Sequence, residues 1–254
     1  MIVLCVGDVF GECGLKTLEK NLKAVKKLKN ADVIVVNGEN ASCNGITPQQ
    51  AERIFDAGAD VITLGNHTWG RREIMEYLDD CKYIVRPLNF ATQTAGQGEC
   101  IIDMGKCRVR VIQLVGRCNM NFIPENPFTV FKRELKEDDC INIVDFHAEA
   151  TSEKAAFAYC FDGKVSAVFG THTHVQTADE RILPQGTGFI TDVGMTGAVD
   201  SIIGVKPEQS VNFFLGNPTQ RYEAADGEGM MCCVVFDIDD NTKKCKSVER
   251  LCVK

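Results

Sequence analysis

The chain has 254 residues, 44% of them hydrophobic and 25% charged, a globular composition that excludes a disordered chain or a fibrous repeat. Its net charge of −7 disfavours a duplex nucleic-acid binder, whose affinity comes from Lys and Arg neutralising phosphates. No apolar run approaches the ~20 residues that span a bilayer, so the composition leaves room for a small phosphorylated ligand held by a few local groups.

Residues 2–6 form a short apolar strand, followed by the glycine-bounded loop Gly7-Asp8-Val9-Phe10-Gly11. No basic n-region or signal h-region occurs here, and the start reads as the first strand of a cytoplasmic protein. Leu15, Leu18, Leu22, Val25 and Leu28 then recur at helical spacing, with the intervening lysines as a solvated face. Residues 32–36 are a strand buried on both faces that ends in Asn37-Gly38-Glu39-Asn40. Thr47 and Pro48 supply the N-cap and first turn of a helix. Residues 61–64 form a strand running into Gly65-Asn66-His67-Thr68-Trp69, and a helix covers about 71–80.

The pattern changes beyond Pro87. Residues 100–104 and 108–115 flank Gly105-Lys106 as a hairpin, and 117–135, with Pro124 and Pro127, read as a long excursion at the edge of a site. Residues 141–146 are a buried strand ending at His147, and Thr151-Ser152-Glu153-Lys154 opens a helix. Residues 165–169 lead into Gly170-Thr171-His172-Thr173-His174. Residues 189–192 precede a glycine-rich stretch, 194–204, which reads as a lid or a plain connection. Residues 230–238 and 247–253 close the chain as an antiparallel pair. Strand–helix units followed by strand pairs predict an α/β fold of layered sheets and outer helices, in one domain over 1–254.

Thirteen cysteines, an odd number at irregular spacing with no C-x-x-C, read as small buried hydrophobes in a reducing compartment rather than as a thiolate metal site. Histidine is more informative. The four, His67, His147, His172 and His174, each follow a strand-like run. Five strand ends thus carry Asp8, Glu39-Asn40, Asn66-His67, His147 and His172-x-His174. In α/β sheets ligands bind beyond the carboxyl ends of strands, so these loops can converge. Hard oxygens and imidazoles suit Mn, Fe, Zn, Ni or Mg, and the number of donors fits two ions better than one. Singly, Asp8, Asn40 and Asn66 are equally turn residues, Glu39 a surface acid and each histidine a core residue. Their joint placement at strand ends favours a single site.

An early Asp, a central G-N-H and a late H-x-H resemble the calcineurin-like metallophosphoesterases. Three departures stand out. Phe10 replaces the His of D-x-H, Gly38-Glu39-Asn40 replaces G-D, and Thr68 follows G-N-H where an acid is usual. With Phe146-His147-Ala148-Glu149-Ala150-Thr151-Ser152-Glu153-Lys154, Gly170-Thr171-His172-Thr173-His174-Val175-Gln176-Thr177-Ala178-Asp179 and Thr191-Asp192-Val193-Gly194-Met195-Thr196-Gly197, the chain resembles the bacterial YmdB-like family of 2′,3′-cyclic nucleotide phosphodiesterases over nearly its whole length.

The resemblance implies a four-layer α-β-β-α metallophosphoesterase sandwich, two mixed sheets flanked by helices. It implies two divalent or trivalent metal ions, Fe and/or Mn, with Mg or Zn as alternatives. Asp8, Glu39, Asn40 and His174 would hold one, and Glu39, Asn66, His147 and His172 the other, with Glu39 bridging. His67 stays unligated as the catalytic residue, placed to donate a proton to the leaving oxygen or to stabilise the charge developing on it. The implied reaction is hydrolysis of 2′,3′-cyclic nucleotides or similar small phosphodiesters by a hydroxide held between the ions. A phosphomonoesterase and a metal-bound regulatory protein with little turnover are the alternatives. The expected partner is a small phosphodiester, with no duplex nucleic acid and no membrane, and a homo-oligomer is open. Trp69 either stacks a base or packs in the core, and Glu149 either orients a ligating histidine or is an ordinary helix-entry acid.

Overall fold

Short buried strands and one-sided helices alternate in the computed structural model, which describes residues 1–218 and 221–254. The first half holds β1 (Ile2–Val6), β2 (Asp8–Val9), α1 (Gly11–Lys29), β3 (Val33–Asn37), α2 (Pro48–Ala57), β4 (Val61–Thr63), α3 (Ile74–Asp80), β5 (Ile84–Val85), β6 (Glu99–Asp103) and β7 (Arg108–Val115). The second holds α4 (Pro127–Glu134), β8 (Cys140–His147), α5 (Thr151–Cys160), β9 (Ala167–Thr171), β10 (Arg181–Ile182), β11 (Gly188–Ile190), β12 (Met195–Ala198), α6 (Pro207–Phe214), β13 (Gly229–Ile238) and β14 (Cys245–Val253).

Two mixed sheets result. The first runs β2-β12-β13-β1-β3-β4-β5, with β14 also on β13, and the second runs β10-β11-β9-β8-β7-β6. In the first, β1, β3, β4 and β5 are parallel and β13 is antiparallel to β1. In the second, β11, β9, β8 and β7 are parallel, with antiparallel edges at β10 and β6.

Side-chain alternation along each strand builds the layers. On β1, Leu4 and Val6 pack with Leu15, Leu18 and Leu22 of α1 and Ile54 of α2, while Val3 and Cys5 pack with Val111, Ile143 and Phe169 of the other sheet. On the far face of the second sheet, Val144 and Phe146 meet Phe131 of α4 and Phe157 of α5. Three apolar layers therefore separate helices, sheet, sheet and helices, the four-layer α-β-β-α sandwich that the resemblance implies.

Local signals account for several boundaries. Thr47 accepts from the Gln50 amide at 3.3 Å and the Gln50 side chain accepts from the Thr47 amide at 3.0 Å, a capping box that Pro48 extends at the first turn. Asn30 ends α1 in the left-handed region at φ 51°. Other regions differ from the sequence expectation. The helix expected from about 71 begins at Ile74, and the 117–135 excursion contains α4, with Asn126 as its N-cap. The stretch 194–204 is not simply a lid or a connection. Its first part is β12, buried throughout, with Met195 and Thr196 paired to β2 and Thr196, Gly197 and Ala198 paired to β13. The helix α6 has no counterpart in the sequence analysis.

Candidate metal centre

The carboxyl ends of strands from both sheets meet at one point. Asp8 lies on β2, Glu39 and Asn40 follow β3, Asn66 and His67 follow β4, His147 ends β8, and His172 and His174 follow β9. Long sequence separations collapse to contact distances. His147 Nε2 is 3.0 Å from Glu39 Oε1, 2.8 Å from Asn66 Oδ1 and 3.0 Å from His172 Nδ1. Asp8 Oδ1 is 3.8 Å from His174 Nε2, and Asn40 Nδ2 lies 3.1 Å from Glu39 Oε1 and 3.2 Å from His174 Nε2. Ligand-type atoms of Glu39, His147 and His172 all fall within 4.8 Å of one another.

Each of three histidines spends one ring nitrogen on an outer partner and turns the other inward. His147 Nδ1–H donates to Thr171 Oγ1 at 2.8 Å, and that hydroxyl donates to Asp145 Oδ1 at 2.6 Å. His174 Nδ1–H donates at 2.7 Å to the carbonyl of Ile203, which can only accept. His172 Nε2 lies 3.3 Å from Glu149 Oε2. This is how metal-ligating imidazoles are normally oriented, with the outward hydrogen bond fixing the tautomer. Glu149 thus stands beside a histidine of the centre.

The cluster carries a charge imbalance that a cation would relieve. Asp8 Oδ1 is buried and has no hydrogen-bond partner. Burial pushes the Asp8 carboxyl up. Burial would also raise Glu39, but the His147 imidazole beside it holds that carboxyl down at about 2. For His147, burial acts downwards and is outweighed by Glu39 and Asp8, so its pKa rises from 6.5 to about 9. His172 falls to about 3 through burial and the neighbouring charge on His147. A proton on His147 therefore does part of the work of a cation among buried carboxylates. The donor set, imidazole nitrogens with carboxylate and amide oxygens, fits a first-row metal.

Two buried supports escaped the sequence analysis. Asp145 is fully buried between the sheets and accepts from Thr171, from Thr63 Oγ1 at 2.5 Å and from Asn37 Nδ2 at 3.0 Å. Burial raises its pKa to about 6. Lys154 Nζ donates to Asp192 Oδ2 at 2.6 Å and to the Thr171 carbonyl at 2.8 Å, and the same Asp192 oxygen accepts from the Thr173 amide. The loop so pinned holds His172 at φ 100° and His174 at φ 64°, left-handed conformations that cost about 1–3 kcal/mol each. The signals were an Asp inside an apolar strand and a Lys on a buried helix face. Gly65 is a third constraint, since a Cβ there would strike Glu39 Oε2 and His147 Nε2.

The centre opens into a cavity of about 600 Å³ lined by Glu39, Asn40, His67, His172 and His174 on one side and Phe213, Phe214 and Tyr222 on another. His67 is partly exposed there, its amide donating to Glu39 Oε2 at 3.1 Å and its Nδ1–H to Asn40 Oδ1 at 3.0 Å. Trp69 does not line this cavity. It packs edge-on to Phe90 at 4.8 Å against the helix-side core, so of its two readings the structure places it in packing.

The profile of the YmdB-like protein family matches residues 4–251. The chain belongs to the YmdB-like family. It is 42% identical over 265 residues to the 2′,3′-cyclic-nucleotide 2′-phosphodiesterase of Bacillus subtilis (strain 168), covering 100% of this chain and 97% of that relative. The crystal structure of a novel phosphatase from Mycoplasma pneumoniae superposes with a TM-score of 0.93 at 39% identity, covering 100% of this chain and 93% of that one. The NAD nucleotidase of Haemophilus influenzae shares the fold at a TM-score of 0.56 and 11% identity, over 98% of this chain and 55% of the other. Among the described residues of this YmdB-like chain, no helix is long and apolar enough to cross a membrane.

Proposed function

We propose that this YmdB-like protein is a dinuclear metal-dependent phosphodiesterase that hydrolyses nucleoside 2′,3′-cyclic phosphates or similar small phosphodiesters in the cytoplasm. It is an enzyme of the phosphodiesterase and phosphatase class. The observation that carries the finer reading is the inward turn of three imidazoles, His147 and His174 onto carboxylates and His172 onto His147, around Glu39, which touches both halves of the cluster. The activity named for the Bacillus subtilis relative supports the choice of substrate.

Asp8, Glu39, Asn40 and His174 would hold one ion, and Glu39, Asn66, His147 and His172 the other, iron and/or manganese in this reading. When bound, two such ions would lower the pKa of water and neutralise phosphate oxygens. The chain's own residues do the rest. Asn40 presents Nδ2 to Glu39 and His174 and Oδ1 to His67. A half-turn about χ2 exchanges the two, bringing oxygen to the centre and an N–H donor to His67 Nδ1. His67 then keeps its ring proton on Nε2, from where it can hydrogen-bond to the leaving ribose oxygen and stabilise the charge developing there.

The test is metal analysis of anaerobically purified protein followed by turnover of 2′,3′-cyclic nucleotides against 4-nitrophenyl phosphate under one metal. Two metals per chain and faster hydrolysis of the cyclic diester are expected. One metal per chain, or preference for the monoester, overturns the reading.

A further inference from the structure

The far wall of the cavity is aromatic and carries none of the ligand-type side chains of the floor. Phe213, Phe214 and Tyr222 line it, and they are 53%, 82% and 41% exposed. Phe213 sits between the other two rings, 5.4 Å from Phe214 and 6.5 Å from Tyr222, edge to face with each. Three aromatic rings clustered at an open rim leave apolar area in water, which usually marks a contact surface.

The rings are held in place. Gln209 of α6 accepts from the Glu223 amide at 2.8 Å and donates to the Arg221 carbonyl at 3.3 Å, and the Lys206 amide donates to the Glu223 carbonyl at 3.1 Å. The segment carrying Tyr222 is thus fastened to the helix carrying Phe213 and Phe214. One cavity therefore has a polar floor of ligand-type residues and an aromatic wall. Its volume of about 600 Å³ is in the range of roughly 300–1,000 Å³ usual for small-ligand sites.

We propose that Phe213, Phe214 and Tyr222 form a stacking subsite for the nucleobase of a nucleotide substrate. The inference rests on the phosphodiesterase reading above, and it adds a source of affinity remote from the reacting phosphorus. A nucleoside cyclic phosphate has an anionic end and a flat aromatic end, matching floor and wall. Every base has a π-face, so the subsite favours a base over none and discriminates weakly among bases.

The experiment compares adenosine 2′,3′-cyclic phosphate with methyl β-riboside 2,3-cyclic phosphate, which lacks a base, on metal-loaded protein. The parent has the lower KM for the nucleotide. Phe213→Ala raises that KM about tenfold with kcat little changed and narrows the gap between the substrates, as expected for loss of one stacking ring, and Phe213→Trp restores it. Leu215→Ala is the control, because Leu215 is 70% exposed and does not line the cavity. Equal KM values in the parent, or the same change for both substrates in Phe213→Ala, overturn the subsite.

Saturation-transfer NMR of adenosine with metal-free protein reads the subsite without turnover. Transfer to the adenine protons that disappears in Phe213→Ala supports it, and no transfer in the parent overturns it. Failure of the metal-loaded parent to hydrolyse either cyclic phosphate overturns the phosphodiesterase reading instead. Sedimentation separates a self-association surface: a dimer lost in Phe213→Ala with unchanged base preference also overturns the subsite.

Discussion

Lys154 Nζ and Asp192 Oδ2 form a 2.6 Å ion pair with side chains 0% and 1% exposed, directly behind the loop that carries His172 and His174. Removing one member of such a pair leaves a buried charge without its partner. Lys154→Met is therefore expected to cost about 3–5 kcal/mol of stability in chemical denaturation. Adding Asp192→Asn to it should recover part of the loss, and no recovery would show that the ion pair is not the source.

Thr171 sits between Asp145 and His147 as donor to one and acceptor from the other. Valine has the same shape without the hydroxyl. Thr171→Val should weaken metal binding by about 10–100-fold, the usual effect of losing an outer hydrogen bond to a ligating histidine. Titration of the metal-free protein with Mn²⁺ measures this without reference to turnover, and an unchanged Kd would separate Thr171 from the centre.

The pH dependence of the metal-free protein has a definite sign. His147 is raised in the fold from 6.5 to about 9, with burial outweighed by Glu39 and Asp8. A raised pKa gives stability that is fully present below pH 6.5 and lost as pH climbs through about 9. Thermal unfolding of metal-free protein should therefore shift to lower temperature over that window. Added Mn²⁺ should reverse the loss, by roughly 2.7 kcal/mol at about 100 times Kd. A flat profile would contradict the charge balance of His147 with Glu39 and Asp8.

His67→Ala should retain both metals and slow the cyclic nucleotide by about 10²–10³-fold, the usual cost of losing one donor to a developing oxyanion. A nitrophenyl diester leaves as a stabilised anion and needs less of that hydrogen bond, so its loss should be smaller. The ratio of the two losses at matched metal content is the measurement. Equal losses would return His67 to the scaffold.

The sheets and the meeting point of the strand ends were readable because both depend on local pattern. Runs such as Val33–Asn37 are apolar throughout, and each ends in a short polar turn. What the pattern could not carry is decided across the sheets. Asp145 lies in a strand otherwise read as buried, and only its contacts with Thr63, Thr171 and Asn37, from three other parts of the chain, give it a role. Lys154 looks like any helix lysine until Asp192, 38 residues later, is folded behind it. The glycines of 194–204 suggest a loop, whereas 195–198 are β12, packed so tightly under α1 that a Cβ on Gly14 would strike the Thr196 carbonyl. Trp69 is the single tryptophan, and only its packing on Phe90 decides which way its ring faces.

The hydrogen bond from His174 to the Ile203 carbonyl joins two residues that both hold left-handed backbone, at φ 64° and φ 49°. Neither conformation is comfortable alone, so each depends on the other staying put. The buried imidazole and the outer turn at 201–204 therefore form one mechanical unit, a spring with one end in the interior. Amide exchange across that turn becomes an external gauge of the centre: when His174 tightens on what it holds, the turn should slow its exchange, and when His174 is released, the turn should open first.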